Sequence, residues 1–217
     1  FVSSLTAAGP SQDGFPLRED SPSAPITSYG VSKLEAETIC QLYATKVPIV
    51  ILRPPAVYGP RDGDILEVLR WVNRGIEPVF GTRSKQLSLI YGPELARAII
   101  EATLSERTTG DTYYVADPIV YPLTEALAIA AKILGRRTIK VRLPSIMLYT
   151  VAGISELATS FSRAPATLNV EKARDLLQTH WVCNPEKFEN HTGFRNRVSL
   201  DEGLKATIRW YKAFGWL

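Results

Sequence analysis

The stretch Ser28-Tyr29-Gly30-Val31-Ser32-Lys33-Leu34-Glu35-Ala36-Glu37-Thr38-Ile39-Cys40-Gln41-Leu42-Tyr43, followed after a short link by Val47-Pro48-Ile49-Val50-Ile51-Leu52-Arg53, sets the fold class. From Ser28 to about Thr45 apolar side chains recur at helical spacing, with Val31, Leu34, Ile39, Leu42 and Tyr43 available to one broad stripe. The next run is almost unbroken in β-branched residues, the pattern of a parallel strand covered on both faces. Before the helix, Phe1-Val2-Ser3-Ser4 reads as the end of a buried strand entering a turn. Strand, helix and strand in that order predict an α/β fold.

Between the first strand and the helix, a loop rich in Gly, Pro, Ser and Asp runs from Gly9 to about Thr27. It is too long for an ordinary connection and is a candidate functional loop. Past the turn at Pro54-Pro55, the same rhythm predicts a helix from Asp64 to Arg74, a strand at Pro78 to Phe80 and another at Leu87 to Tyr91. A helix started by Pro93 and Glu94, a strand from Thr112 to Ala116, a helix from Leu123 to Leu134 stopped by Gly135 and a strand from Thr138 to Val141 follow. The tail is expected to be helical at about 145–162, 170–178, 185–191 and 200–213. No repeat or low-complexity segment is present.

Composition narrows the class. The 217 residues are 45% hydrophobic and 22% charged, which excludes disorder, collagen and disulfide scaffolds. The net charge of +3, with no basic block beyond Arg136-Arg137 and nearby Lys140 and Arg142, does not imply nucleic acid; those four cations read as a solvated edge. Cys40 and Cys183 stand far apart, and His180 and His191 are the only histidines, so too few ligands exist for a zinc site and no metal is expected. Both histidines read as surface or locally bonded groups, and Trp210, Tyr211, Phe214 and Trp216 as a packed helix face and tail. No apolar run approaches the ~20 residues of a membrane span, and a reducing cytoplasmic setting is expected. Without a starting methionine or signal peptide, the chain reads as a piece of something longer.

The chemistry centres on Tyr29 and Lys33, four apart and therefore on one face of the helix. An ammonium beside a phenol favours phenolate. Bringing a tyrosine from ~10 to ~7 takes about 4 kcal/mol, more than one solvated lysine supplies, so a second cation is wanted. The ring of an oxidised nicotinamide would be such a cation, with the tyrosine as general acid/base for an alcohol or ketone. Ser4 lies at the end of the first strand, where α/β sheets place ligand groups, and its hydroxyl can hold the substrate oxygen; Ser3 is a rival for that role.

Taken together, Phe1-Val-Ser-Ser4, Leu17-Arg-Glu-Asp-Ser-Pro22, Pro25-Ile-Thr-Ser-Tyr29-Gly-Val-Ser-Lys33-Leu-Glu-Ala-Glu37, Leu52-Arg-Pro-Pro-Ala-Val-Tyr-Gly-Pro60 and Leu89-Ile-Tyr-Gly-Pro-Glu-Leu-Ala96 resemble successive blocks of the extended short-chain dehydrogenase/reductase family. The closing part, from Leu168-Asn169 through Trp181, Gly193-Phe194 and Glu202-Gly203-Leu204 to Gly215-Trp216-Leu217, is most similar to its 3β-hydroxysteroid dehydrogenase and dihydroflavonol reductase-like branch. The resemblance implies the second half of a Rossmann-type parallel sheet plus a small, mainly helical substrate domain, divided as 1–60 and 61–217. It implies Ser4 as substrate-oxygen donor, Tyr29 as acid/base and Lys33 as its partner that also grips the nicotinamide ribose. Pro54, Pro55 and Val57 would lie along the nicotinamide of NAD or NADP, and Thr6, Arg61 and Leu87 would face the substrate.

The family's opening glycine-rich turn, which holds the pyrophosphate, has no counterpart in the sequence: Gly59 and Gly63 lack its spacing, and roughly a hundred residues, at ~30 per βαβ unit, would precede this chain. The residue that separates NAD from NADP would lie there. Leu5 and Thr6 occupy the places of the acid pair of nucleotide-sugar dehydratases, so dehydration is not expected. Leu87 stands where the epimerases carry a diphosphate-gripping arginine, with Arg83 and Lys85 near enough to substitute. Together with the apolar helix at 145–161, which borders the substrate in the resembling family, this predicts an apolar small-molecule alcohol or ketone as substrate. Nucleotide-sugar epimerisation is the alternative reaction, and a non-catalytic dinucleotide sensor a further one. A homodimer through the helix bearing Tyr29 is possible for the full-length protein.

Overall fold

A computed structural model describes residues 1–81, 83–160 and 169–217, and for 157–160 the backbone only. The expected close of the fourth-last helix at 161–162, with Phe161, and the resemblance at Leu168 lie outside the described residues; so does the side chain of Leu157.

The central layer grows from the β-branched run. Strand β1 (Ile51–Arg53) is buried at all three positions, as a strand covered on both faces requires. It pairs in parallel with β6 (Thr112–Tyr114), matching Ile51 to Thr112 and Arg53 to Tyr114. On its other side Val2 bridges Leu52 in parallel, and the Ser3 amide donates to the Leu52 carbonyl at 2.7 Å. A second parallel pair, β2 (Ala56–Tyr58) with β5 (Leu89–Tyr91), follows directly. Strand β3 (Ile76–Phe80) pairs in parallel with β8 (Ile139–Leu143). Strand β4 (Gln86–Leu87) lies between β7 (Tyr121–Pro122), antiparallel, and β9 (His180–Trp181), parallel.

Helices cover these strands: α1 (Leu5–Ala8), α2 (Ser28–Tyr43), α3 (Gly63–Asn73), α4 (Gly92–Leu104), α5 (Leu123–Leu134), α6 (Ser145–Ser160), α7 (Val170–Leu177), α8 (Glu186–Thr192) and α9 (Leu200–Ala213). Local chemistry fixes their ends. Asp62, rather than Asp64, caps α3 by accepting from the Ile65 amide at 2.7 Å. Gly135 stops α5 in the left-handed region at φ 67°. Ser199 and Glu202 form a capping box at the start of α9. Leu66, Leu69 and Val72 of α3, Leu127 of α5 and Leu204 and Ile208 of α9 meet in the largest core. There α9 approaches β2 so closely that a Cβ at Gly203 would lie 2.4 Å from Tyr58 Oη, which only glycine avoids. Of the tail aromatics, Tyr211 is buried and Trp210 half-buried, whereas Phe214 and Trp216 are exposed, with Trp210 stacked on Phe214 at 4.5 Å between ring centroids.

Three expectations are corrected. The apolar stripe of α2 is not buried: Val31, Ile39, Leu42 and Tyr43 are exposed, and the helix is buried at Gly30 and Glu37 instead. The expected strand from Leu87 to Tyr91 breaks at Ser88, whose amide donates to the Trp181 carbonyl and whose Oγ accepts from the Cys183 amide, so the chain changes sheet there. The chain does not run from the first strand straight into a loop, because Ser4 caps the one-turn helix α1. Elements as short as α1, β7 and β9 contain too few residues to display a period.

Candidate active site

Ser4 stands where the first strand segment turns into α1, with extended backbone at φ −157° and ψ 154°. Its Oγ accepts from the Thr6 amide at 3.2 Å and from Thr6 Oγ1 at 2.8 Å. Those two donors fill the acceptor positions of the hydroxyl, so the Ser4 O–H is the group left to donate. Ser3, the rival, is buried and donates to Glu37 Oε1. The two neighbouring hydroxyls therefore serve different purposes.

Helix α2 begins at Thr27, whose Oγ1 accepts from the Gly30 amide at 3.1 Å. A Cβ at Gly30 would sit 2.4 Å from the Thr6 carbonyl oxygen, so the backbones of α1 and α2 touch at a point only glycine allows. That contact sets the turn carrying Tyr29 against the turn carrying Ser4 and Thr6. Tyr29 is 52% exposed. Lys33, one turn further, donates from Nζ to the Val2 carbonyl at 3.2 Å and lies 5.7 Å from the centroid of the Tyr29 ring.

One more turn inward the stripe ends in a buried ion pair. Arg53, the last residue of β1, grips Glu37 through both edges, Nη2 to Oε2 at 2.6 Å and Nε to Oε1 at 2.9 Å. Arg53 also donates to Tyr114 Oη at 3.3 Å and to Ser23 Oγ at 3.4 Å. Burial works most strongly against the guanidinium charge, but the hydrogen bonds and charge interactions with Glu37 and Tyr114 together outweigh it and hold Arg53 above its ordinary range. Burial pushes the Tyr114 hydroxyl up to about 12, although Arg53 pulls the other way. Ser3, Glu37 and Arg53 thus tie the strand before Ser4, the helix of Tyr29 and Lys33, and the strand before Pro54 into one block.

Pro54 and Pro55 are buried, and the Pro54 carbonyl accepts from the Leu5 amide at 2.8 Å, fixing the turn to the start of α1. Val57 is half-buried in β2 opposite Ile90. Ser4, Thr6, Tyr29, Lys33 and the proline turn therefore share one corner. Arg61 and Leu87 are placed elsewhere. Arg61 is exposed in the turn before α3, in the left-handed region at φ 72°, with its guanidinium 6.0 Å from the Trp210 ring centroid. Tyr211 Oη holds that turn, donating toward the Gly59 and Asp62 carbonyls at 3.0 and 2.7 Å. Leu87 is half-buried in β4 and packs on the largest core. Lys85 does not offer the substitute cation considered for Leu87: it is buried, donates to the Gln178 carbonyl at 2.8 Å, and burial pulls its ammonium down to about 8.

Sequence reading misses the parts that hold this corner in place. Glu37 and Arg53 carry a signal, an acid four residues past Lys33 and a cation ending an otherwise apolar strand, but charge is not expected inside a core. Glu171 of α7 carries none: it accepts from the Ser28 amide at 3.0 Å and the Ser28 hydroxyl at 2.6 Å, beside Tyr29 but 143 positions away.

A parallel α/β layer with a serine just past a strand segment and a tyrosine and lysine on the helix set against it defines a class, and the similarities agree with it. Residues 1–116 match the NAD dependent epimerase/dehydratase family, and the chain belongs to that family. It is 27% identical over 228 residues to the ceramide reductase of Caulobacter vibrioides (strain NA1000 / CB15N), covering 100% of this chain and 63% of that protein. It is 30% identical over 218 residues to the UDP-glucose 4-epimerase of Vibrio cholerae, covering 96% of this chain and 61% of that protein. Its fold matches the crystal structure of a UDP-glucuronic acid 4-epimerase from Bacillus cereus in complex with UDP-glucuronic acid and NAD, with a TM-score of 0.73 at 21% identity over 98% of this chain and 60% of the other. The chain spans less than two thirds of the length of these curated relatives.

Proposed function

We propose that this chain carries the acid/base corner of an NAD(P)-dependent oxidoreductase that transfers a hydride between nicotinamide and a secondary alcohol or ketone of apolar character. The supporting observation is the corner itself: a serine hydroxyl with its acceptor positions filled by Thr6, set by the Gly30 contact against the turn of Tyr29 and Lys33. Residues 1–60 supply this corner and 61–217 the substrate side.

The donor set fits the nicotinamide end of a dinucleotide. Lys33 already holds a carbonyl oxygen and can direct its remaining N–H bonds to ribose hydroxyls, while the rigid Pro54-Pro55 turn leads to the half-buried Val57, which offers apolar surface. The pyrophosphate turn is not among these residues. Bound dinucleotide supplies the hydride or accepts it. In the oxidative direction Tyr29 takes the hydroxyl proton of the alcohol while the carbon-bound hydrogen leaves with its electron pair, and in reduction it returns a proton to the carbonyl oxygen. The Ser4 O–H donates to that same oxygen and fixes its position.

Epimerisation of a nucleotide-sugar is the second reading, supported by the 30% identity to the Vibrio cholerae enzyme. It uses the same tyrosine but leaves the cofactor pool unchanged. The leucine at position 87, where the resembling epimerases carry a diphosphate-gripping arginine, favours the apolar reading. A side-by-side panel of sterol-, flavonoid- and terpenoid-type ketones and UDP- or dTDP-sugars, scored for net NAD(P)H consumption, separates them. Net consumption with the apolar ketones is expected; turnover of a nucleotide-sugar with no net consumption and no apolar ketone accepted would overturn the proposal.

A further inference from the structure

Helix α6 is apolar nearly all round yet, among its described side chains, barely covered. Leu148 and Ala152 pack on Ala173 of α7, with Phe80 and Leu143 at the margin. Ile146 is 77% exposed and Ile154 65% exposed, and Met147, Tyr149 and Val151 are also exposed. A helix of this composition normally belongs in a core, so a face this apolar calls for a cover. The strand leading into it is exposed as well: Ile139 is 69% exposed, and a single residue, Pro144, separates β8 from α6.

Charge indicates which cover fits. Residues 132–156 carry the cations Lys132, Arg136, Arg137, Lys140 and Arg142 against one acid, Glu156. All five cations are exposed. Lys140 is loosely paired with Glu77 at 3.8 Å and Arg136 Nε reaches Asn73 Oδ1 at 3.2 Å. Charges on an edge strand discourage strand pairing, but they leave the apolar surface of α6 unaccounted for. A second copy of the chain meeting this face would bring two sets of like charges together. An anionic lipid surface satisfies both features, taking the apolar side chains at the acyl boundary and the cations among its headgroups.

We infer that α6 and its basic flank form a docking surface for an anionic lipid bilayer, lying on it without crossing it. This inference concerns binding and stands whatever reaction the Tyr29 corner performs.

The test is flotation of the full chain with vesicles of phosphatidylcholine alone and of phosphatidylcholine mixed with phosphatidylglycerol, alongside light scattering. Binding is expected to the anionic vesicles only, and to fade at high salt, since the Debye length shrinks to ~3 Å at ~1 M. Ile146→Glu and Ile154→Glu should each weaken it by about tenfold or more. Arg137→Gln and Arg142→Gln, which remove no packing, should each weaken it about fivefold. Absence of binding to either vesicle, binding indifferent to both kinds of variant, or a dimer that dissociates on Ile154→Glu without vesicle binding would overturn the inference.

Discussion

Helices α2 and α6 are both 16 residues long, both leave apolar side chains in solvent, and they are held to the molecule in different proportions by directional bonds and by packing. Helix α2 is fixed by a backbone contact at Gly30 and by the two-pronged grip of Arg53 on Glu37. Such bonds are directional, so they set its rotation and its height along the sheet. Helix α6 packs Leu148 and Ala152 against α7 through contacts that have no preferred direction, and a hydrogen bond from the Val170 amide to Glu156 Oε1 at 2.9 Å joins the two helices. The difference matches the demands on each. A proton relay loses its geometry with an error of an ångström, whereas a surface that meets lipid tolerates sliding. Helix α7 joins the two, packing Ala173 on α6 while Glu171 holds Ser28 at the start of α2.

Breaking the ion pair should have the largest effect. Glu37→Ala leaves a buried guanidinium without its carboxylate and should cost about 3 to 5 kcal/mol in urea unfolding. Replacing Glu37 and Arg53 together by methionine should recover much of that, since no charge is then stranded; a loss from Glu37→Ala below about 1 kcal/mol would show that α2 is held by something else. On α6, Leu148→Ala should cost about 2 kcal/mol, the low end for such truncations because the site is open enough to relax.

The joint through α7 gives a prediction in pH. Lys85, hydrogen-bonded to Gln178 just past the end of α7, has its ammonium lowered to about 8 from the ordinary 10.5. Between those values the unfolded chain keeps a proton that the folded chain has lost, so stability should rise with pH across that window, by about 2 kcal/mol from pH ~8 to ~10. Lys85→Met should flatten this rise in a pH series of denaturation curves. The smallest effect is expected at the exposed side of α6, where Ile154→Ser should change stability by no more than about 0.5 kcal/mol.

The α/β order, the parallel β1 and the helices with strong caps were legible because a period or a capping residue marks them. Leu123–Leu134 with Gly135 in the left-handed region is the clearest case. The pattern of α2 was legible as helix but misleading as burial, since the rule that apolar residues face inward assumes that the helix has its whole set of neighbours. Its inner stripe is instead Gly30 and Glu37, a small residue and an acid that binary patterning assigns to the surface. The spacing of Tyr29 and Lys33 could be read directly. What brings Ser4 to them could not, because the contacts from Gly30 to Thr6 and from Glu37 to Arg53 link separate segments and depend on tertiary geometry.

Tyr29 is proposed as the group that moves the proton, and turnover by Tyr29→Phe in the full-length protein tests this most directly. Phenylalanine keeps the ring beside Lys33 and removes only the hydroxyl. With a confirmed substrate, kcat should fall at least ~100-fold while affinity for the dinucleotide changes little. Near wild-type turnover by this variant would contradict the assignment.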